Sequence, residues 1–369
     1  MNNKVYILII LITIIGNLAF SQTNNFIKSE IKANDNGVLE FLAWTKSEDF
    51  ISFEKALTKE YNDGDWNAWF LYKISQSLFE IHFPEKGEGI KALSCWYILN
   101  KAGRDVRLVF SVNSILLFVR PLEKVYGSVV RLIGGTKYVC LNANISTIKN
   151  PVDSKFILDE KGKEFAFAIN KYPQFMNKVV SIELGFYDSA FHQKFIVYPI
   201  KFDLKLSEYM QDYPNLEYDK LFNTPLSPPV YNSLIPQLRE SLTTIDTVDQ
   251  IEFLFNFVRK SFLPQSDIET YGKDKWLTPE ESIGPNIDSE DKAGLFYYLV
   301  KELLNIPILC YYCPEKDNVI VGVSLDVYQV KGSFIHEGLS YKFFDPYNSQ
   351  SFEEVFVSKN CSLIVEYFP

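Results

Sequence analysis

The chain has few of the residues that build metal sites and disulfide frameworks: three histidines and five cysteines in 369 residues. The five cysteines are Cys95, Cys140, Cys310, Cys313 and Cys361. An odd, low number in a long chain does not indicate a disulfide framework, although one or two bridges are compatible with it. Cys310 and Cys313 have metal-like spacing, but no second Cys/His pair completes four ligands. We therefore expect no metal and no cofactor.

The sequence also lacks a basic stripe. Its formal net charge is −9, and its 37 basic and 46 acidic residues are interspersed. Such a surface carries no electrostatic footprint for nucleic acid and disfavours binding to anionic membranes. We expect no nucleic-acid partner; a protein or peptide partner remains compatible with the composition.

The first 21 residues have the pattern of a secretory signal peptide. Lys4 precedes an apolar run from Val5 to Ile15, and the small residues Ala19 and Ser21 stand at a candidate cleavage site. Because the run is short and no charged stop-transfer flank follows it, a cleaved signal is favoured over an uncleaved anchor. We expect the mature chain to be exported, to the periplasm, the cell surface or the medium, and not to be an integral membrane protein.

Composition and periodicity predict an α+β protein of several domains. The chain is 47% hydrophobic and 15% aromatic, which is typical of an ordered protein with large cores. Helical spacing dominates from about residue 30 to 100, and strand patterns follow. We predict an N-terminal α+β domain over 22–150, a β-rich segment over 151–210 and a C-terminal domain over 211–369.

Several local signals predict particular features. Gly103 suits a left-handed cap at the end of a helix, and Asp246 or Thr247 suits the start of another. The alternating run KEFAFAI, residues 163–169, predicts a strand. The proline-bearing stretch 213–229 predicts an irregular inter-domain connection.

A weak internal repeat relates the two halves of the chain. The segment KALSCWYILNKAGRDVRLVFS aligns with KAGLFYYLVKELLNIPILCYY, and GGTKYVCLN aligns with EGLSYKFFDP. Chance similarity between two helix-and-strand patterns explains the alignment equally well. If the repeat is genuine, Glu88 stands where the second half has Ser289, and the N-terminal domain is a degenerate copy of the C-terminal core.

The most informative motif is DSEDKAG, residues 288–294, at the start of an apolar helical segment. With YGKDKWLTPEE, FFDP and neighbouring residues between about 210 and 350, it resembles bacterial transglutaminase-like proteins of the papain-type fold. In that family a cysteine lies in a D-C-E-D-[KR] helix start, a histidine opens a later strand, and an aspartate precedes a proline. The matching positions here are Ser289, Asn318 and Asp345. The resemblance implies a helix bundle packed on an antiparallel sheet.

The same resemblance implies that the catalytic positions are vestigial. A serine hydroxyl is a far weaker acid than a thiol, and the amide of Asn318 takes up no proton near neutral pH. Asp345 then has no imidazole to orient. We instead expect Ser289 to cap the helix, with Glu290 and Asp291 stabilised by the positive end of the helix dipole.

The favoured hypothesis is a non-catalytic binding or scaffolding protein whose old substrate cleft holds a peptide-like or envelope partner. Candidate cleft-lining residues are Trp276, Glu290, Asp291 and His336. The competing hypothesis is a residual acyl transferase or amide hydrolase that uses Ser289 or a relocated Cys313/His336 pair. A base within about 3.2 Å of the Ser289 hydroxyl would weaken the non-catalytic hypothesis. A filled cleft would indicate a purely structural protein.

Overall fold

The computed structural model describes residues 27–61, 67–143, 148–159, 161–173, 179–191, 193–264, 274–284, 286–325, 334–348 and 352–369. The predicted signal peptide lies outside this part of the chain. Within these ranges, no helix is both long and apolar enough to cross a membrane.

The first half is an α+β unit that begins with helices, as the sequence predicts. The helices are α1 (Asp35–Trp44), α2 (Glu48–Tyr61), α3 (Ala68–His82) and α4 (Glu88–Lys101). Gly103 has a φ of 76°, and the backbone N–H of Arg104 donates to the carbonyl of Leu99 at 2.9 Å. This arrangement is a Schellman cap. It confirms the role predicted for Gly103.

An antiparallel sheet follows these helices. Six strands lie in this part of the chain, and all except β3 belong to the sheet: β1 (Val106–Ser111), β2 (Ser114–Val119), β3 (Val125–Tyr126), β4 (Val130–Ile133), β5 (Thr136–Cys140) and β6 (Val152–Asp153). The five-stranded sheet has the order β4-β5-β2-β1-β6, and α4 packs over β1 and β2. Because β6 pairs with β1, the first sheet extends past residue 150.

A long hairpin and several helices connect the two halves. They are β7 (Val179–Asp188), β8 (Lys194–Asp203), α5 (Leu204–Met210), β9 (Asn215–Leu216), α6 (Tyr218–Phe222), α7 (Pro228–Leu242) and α8 (Thr247–Ser261). The hairpin β7–β8 packs against α7 and α8. The Asp246 side chain accepts from the N–H of Asp249 at 3.0 Å, so Asp246 is the N-cap of α8.

The second half repeats the combination of one helix and one sheet. Its elements are β10 (Leu263–Pro264), β11 (Asn286–Ile287), α9 (Ser289–Leu304), β12 (Ile308–Cys313), β13 (Asn318–Ser324), β14 (Phe334–His336), β15 (Leu339–Phe344) and β16 (Ser362–Tyr367). The sheet order is β14-β15-β13-β12-β16, and α9 packs over β12 and β13.

The two five-stranded sheets share one topology. In each, a hairpin follows the helix: β1–β2 in the first sheet and β12–β13 in the second. A second hairpin follows, and its second strand, β5 or β15, pairs with β2 or β13. A last strand, β6 or β16, pairs with β1 or β12. Glu88 and Ser289 are the first residues of the two matching helices. Ser114 and Asn318 open the second strand of the two matching hairpins. The positions aligned in the sequence therefore occupy equivalent places in the two sheets.

Two local predictions are wrong. Residues 163–169 form only isolated bridges, at Lys163 and Phe165, and no strand. Their alternation reflects the burial of Phe165 and Phe167, while the N–H of Phe167 donates to the carboxylate of Glu123 at 2.8 Å. This backbone segment is thus held partly by a side chain, where a strand ladder was expected.

The predicted irregular connection over 213–229 is a packed part of the core. It contains β9 and α6, and Tyr213, Leu216 and Leu221 are buried. β9 pairs with β3 of the first half. This pairing joins the first half to the connecting segment through backbone hydrogen bonds.

Cys310 and Cys313 lie on opposite faces of β12, as their spacing predicts. Cys310 belongs to the main core, whereas Cys313 belongs to the smaller cluster on the other face of the sheet. Cys313 forms a disulfide with Cys361, 48 residues later. Cys313 is therefore not a free buried thiol, and it does not form a nucleophile–base pair with His336.

We expect this disulfide to be a major source of stability in the second half. Closing a loop of this length stabilises the folded state by up to about 4 kcal/mol through the entropy of the unfolded chain. Reduction, or the double substitution Cys313→Ser and Cys361→Ser, should lower the free energy of unfolding in urea by a comparable amount. The double variant should be insensitive to reductant. Five reactive thiols in the unreduced, unfolded protein would contradict the bridge.

Candidate functional site

The start of α9 is built by aspartates. Asp288 is the N-cap: its side chain accepts from the N–H of Asp291, and the Asp291 side chain accepts in return from the N–H of Asp288 at 3.4 Å. This reciprocal capping box satisfies two backbone donors that the helix leaves exposed. The prediction that Ser289 caps the helix is wrong, because Ser289 is already the first helical residue.

The hydroxyl of Ser289 donates to a carboxylate. Its Oγ lies 2.7 Å from Oε2 of Glu290, the next residue along the helix. Ser289 is 8% exposed. A base therefore does lie within hydrogen-bond reach of this hydroxyl, but it is a carboxylate and not an imidazole. Carboxylates are weak bases toward a group as weakly acidic as a serine hydroxyl.

Asn318 and Asp345 are brought together. Asn318 Nδ2 donates to Asp345 Oδ2 at 2.7 Å, and both residues are buried. Asp345 also accepts from the N–H groups of Tyr347 and Asn348, at 3.0 and 2.9 Å, and from Asn348 Nδ2 at 3.0 Å. Four donors surround one carboxylate, which holds the turn after β15 in place.

The amide of Asn318 is only half satisfied. An ionised carboxylate only accepts hydrogen bonds, so the contact with Asp345 assigns the nitrogen to that side. The oxygen, Oδ1, is buried and has no hydrogen-bond partner among the described residues. The amide of Asn318 thus uses its donor on Asp345, and its acceptor has no partner among the described residues.

Lys292 is a buried lysine of α9 that contacts two elements next to the site. It is 2% exposed, and its Nζ donates to the carbonyls of Arg259 and Phe262, at 3.2 and 3.1 Å, at the end of α8. Its ammonium also lies 5.6 Å from the centre of the Tyr347 ring. Burial, followed by the nearby charge of Arg259, lowers the pKa of Lys292 to about 8. Lys292 therefore joins α9 to the end of α8 and contacts the turn after Asp345.

Trp276 lies on the segment that contacts the start of α9. The N–H of the next residue, Leu277, donates to Asp291 Oδ1 at 3.0 Å. The Trp276 ring stacks on Tyr218 at 4.4 Å and 18°, and lies 5.1 Å from Tyr126. Trp276 lines a cavity of about 750 Å³ whose other walls come mainly from the first half of the chain.

His336 is not brought to this site. It pairs with Leu339 at the start of β15, whereas Asp345 follows the end of that strand. Its Nε2 contacts Glu366 at 3.1 Å. His82 lies on α3 with Nδ1 2.9 Å from the carbonyl of Leu78, and His192 lies outside the described residues. Neither of the two described histidines is positioned as a base for Ser289.

Three contributors to the site were missed from the sequence. The capping role of Asp288 could have been predicted, because an aspartate three residues before another acidic residue at a helix start resembles a capping box. Glu290 as the partner of Ser289 has none, because neighbouring residues rarely contact on a helix. Asn348 as a donor to Asp345 depends on a turn geometry that spacing does not show. Among the described residues, no cluster of three or more His, Cys, Asp or Glu side chains forms a metal site.

A scan against protein-family models matched no family, and a search of curated proteins found no match.

The low pKa of Lys292 predicts a pH-dependent stability. In the folded chain Lys292 loses its proton near pH 8, and an unfolded lysine keeps it to about pH 10.4. Between these values the unfolded state binds more protons, so the free energy of unfolding rises with pH. The penalty of burying the charge is thus complete below pH 8 and is relieved above it.

The variant Lys292→Met, which does not titrate, isolates this effect. The stability of the natural protein relative to the variant should increase by up to about 3 kcal/mol between pH 7 and 10.5. Urea unfolding of both proteins at several pH values measures it. Parallel pH profiles would show that Lys292 keeps its proton in the folded chain.

Proposed function

We propose that the chain is an exported, non-catalytic transglutaminase-like protein with a binding role. The observation that carries this proposal is the Asn318–Asp345 contact. An imidazole at position 318 would donate to Asp345 and face the nucleophile with its second nitrogen. Here an amide makes the first contact and has no protonatable group for the second.

The surroundings of Ser289 support the same proposal. Its hydroxyl donates a hydrogen bond to Glu290. The four hydrogen bonds described for Asp345 come from Asn318 and from the turn that follows Asp345. The capped start of α9 also has a structural role that needs no chemistry. Of the residues that match a catalytic triad, Asn318 and Asp345 thus stabilise a turn.

The disulfide supports the proposed export. Bridges such as Cys313–Cys361 form and persist in oxidising compartments and are rare in the cytosol. This agrees with the signal peptide that the first 21 residues predict. The periplasm, the cell surface and the medium are all compatible with it.

One observation favours a second function. The 2.7 Å contact between Ser289 and Glu290 supplies the base that the sequence did not reveal. A serine-type acyl transferase or amide hydrolase would then use Ser289 as nucleophile and Glu290 as base. We rank it second because proton transfer is efficient only when the base and the hydroxyl are closer in acidity.

A restoration experiment separates the two functions. We expect the natural protein to hydrolyse none of a panel of amide and ester substrates, and Ser289→Ala and Glu290→Gln to change nothing. We expect Ser289→Cys with Asn318→His to create a thiol that iodoacetamide alkylates at least about tenfold faster than the thiol of Ser289→Cys alone, because a nearby imidazole favours the thiolate.

The natural cysteines give a low background in this experiment. Burial raises the pKa of Cys95 to about 12 and also raises the pKa of Cys140 and of Cys310. Hydrolysis by the natural protein that both Ser289→Ala and Glu290→Gln abolish would overturn the non-catalytic proposal. Equal alkylation of the single and double variants would overturn the proposed triad geometry.

A further inference from the structure

The cavity that Trp276 lines lies where the first half of the chain meets the segments that contain Asn215 and Trp276. Its volume is about 750 Å³, and it is bounded by α3, the start of α4, the end of β5 and the segments that contain Asn215 and Trp276. A second cavity of about 380 Å³ shares Tyr72, Gln76, Glu88 and Asn142 with it. Together they form a groove across the start of α4. Two adjoining cavities can hold more than one unit of a ligand that is built from linked units.

The groove combines aromatic rings with carboxylates. Half-buried Tyr126 and Trp276 contribute the rings that a ligand can contact, since Trp69 and Tyr72, which also line the groove, are only 3% exposed. Glu88, Asp212 and Asp274 contribute the carboxylates. Trp276 is held by its stack on Tyr218, so its position is set before a ligand arrives. Preorganised groups bind without a further loss of side-chain entropy.

The charges of the groove exclude several ligand classes. The carboxylates disfavour polyanions such as phosphorylated or nucleic-acid ligands. Exposed polar groups in the walls disfavour a lipid, which would leave them without hydrogen-bond partners.

Two of the three carboxylates are already paired with lysines, Asp212 with Lys73 at 3.1 Å and Glu88 with Lys91 at 2.7 Å. A strongly basic peptide would have to compete with these lysines. Hydroxyl groups can bond to the paired carboxylates without breaking the pairs.

We propose that this groove binds an uncharged oligosaccharide. Sugar hydroxyls donate to carboxylates and amides, and the apolar C–H faces of the rings pack on aromatic side chains. The inference specifies the ligand for the binding role proposed above. It does not depend on whether Ser289 reacts.

Titration of the full mature chain with neutral hexasaccharides of glucose, xylose, mannose and N-acetylglucosamine tests the proposal. Intrinsic tryptophan fluorescence and calorimetry give the affinity. We expect at least one sugar to bind, and Trp276→Ala to weaken its binding by roughly tenfold. Because that variant removes a ring from a stacked group, Asp274→Asn provides a second test and should also weaken binding by roughly tenfold. Asp49→Asn, an exposed aspartate on α2, is the matched control and should bind normally.

The outcomes are distinct. No binding of any sugar, or equal binding by Trp276→Ala, Asp274→Asn and the control, overturns the proposal. Binding of hexalysine alone also overturns it, in favour of a basic peptide. Each of these results leaves the non-catalytic proposal standing, because only hydrolysis dependent on Ser289 overturns that.

Discussion

The carboxylate of Asp291 is the contact on which the site depends. It accepts the N–H of Asp288, which closes the start of α9, and the N–H of Leu277, which fixes the segment that carries Trp276. It is 1% exposed, and a buried carboxylate is stable only when donors surround it. One side chain therefore connects the helix start that carries Ser289 to the segment that carries Trp276. Loss of this carboxylate would remove an acceptor from the buried N–H of Leu277 and from the partly buried N–H of Asp288.

The amide of Asn318 supplies one of the four hydrogen bonds that Asp345 accepts, and it takes up no proton near neutral pH. Its Oδ1 has no hydrogen-bond partner among the described residues, and an acceptor that is buried without a partner destabilises the folded state. A chain selected only for stability would favour a smaller apolar residue with no acceptor, provided that the turn after β15 kept its remaining bonds.

Predictions from sequence patterns were correct where a single local interaction determines the structure. Gly103 and Asp246 act as caps because the helix end itself demands a left-handed residue or a side-chain acceptor. Patterns failed where a distant group decides the outcome. The strand predicted over 163–169 is held partly by Glu123, and Cys313 pairs with a cysteine 48 residues away. The contact between Asn318 and Asp345 was not predicted, because residues 27 apart carry no local signal for contact.

The shared topology of the two sheets relates the residues around Ser289 to equivalent residues of the first half. Glu88 and Ser289 begin equivalent helices, and the aligned residues Asn142 and Asp345 follow equivalent strands. Asn142 bonds to the backbone of β2 through Leu117 and Ile115, whereas Asp345 bonds to a side chain. Glu88 thus opens the first helix with a carboxylate where the second helix has the hydroxyl of Ser289. What the two halves have in common is a helix start facing a strand end, and in the first half that junction opens into the groove. Glu88, at the first of these helix starts, lines the groove, and this supports the binding role that we propose.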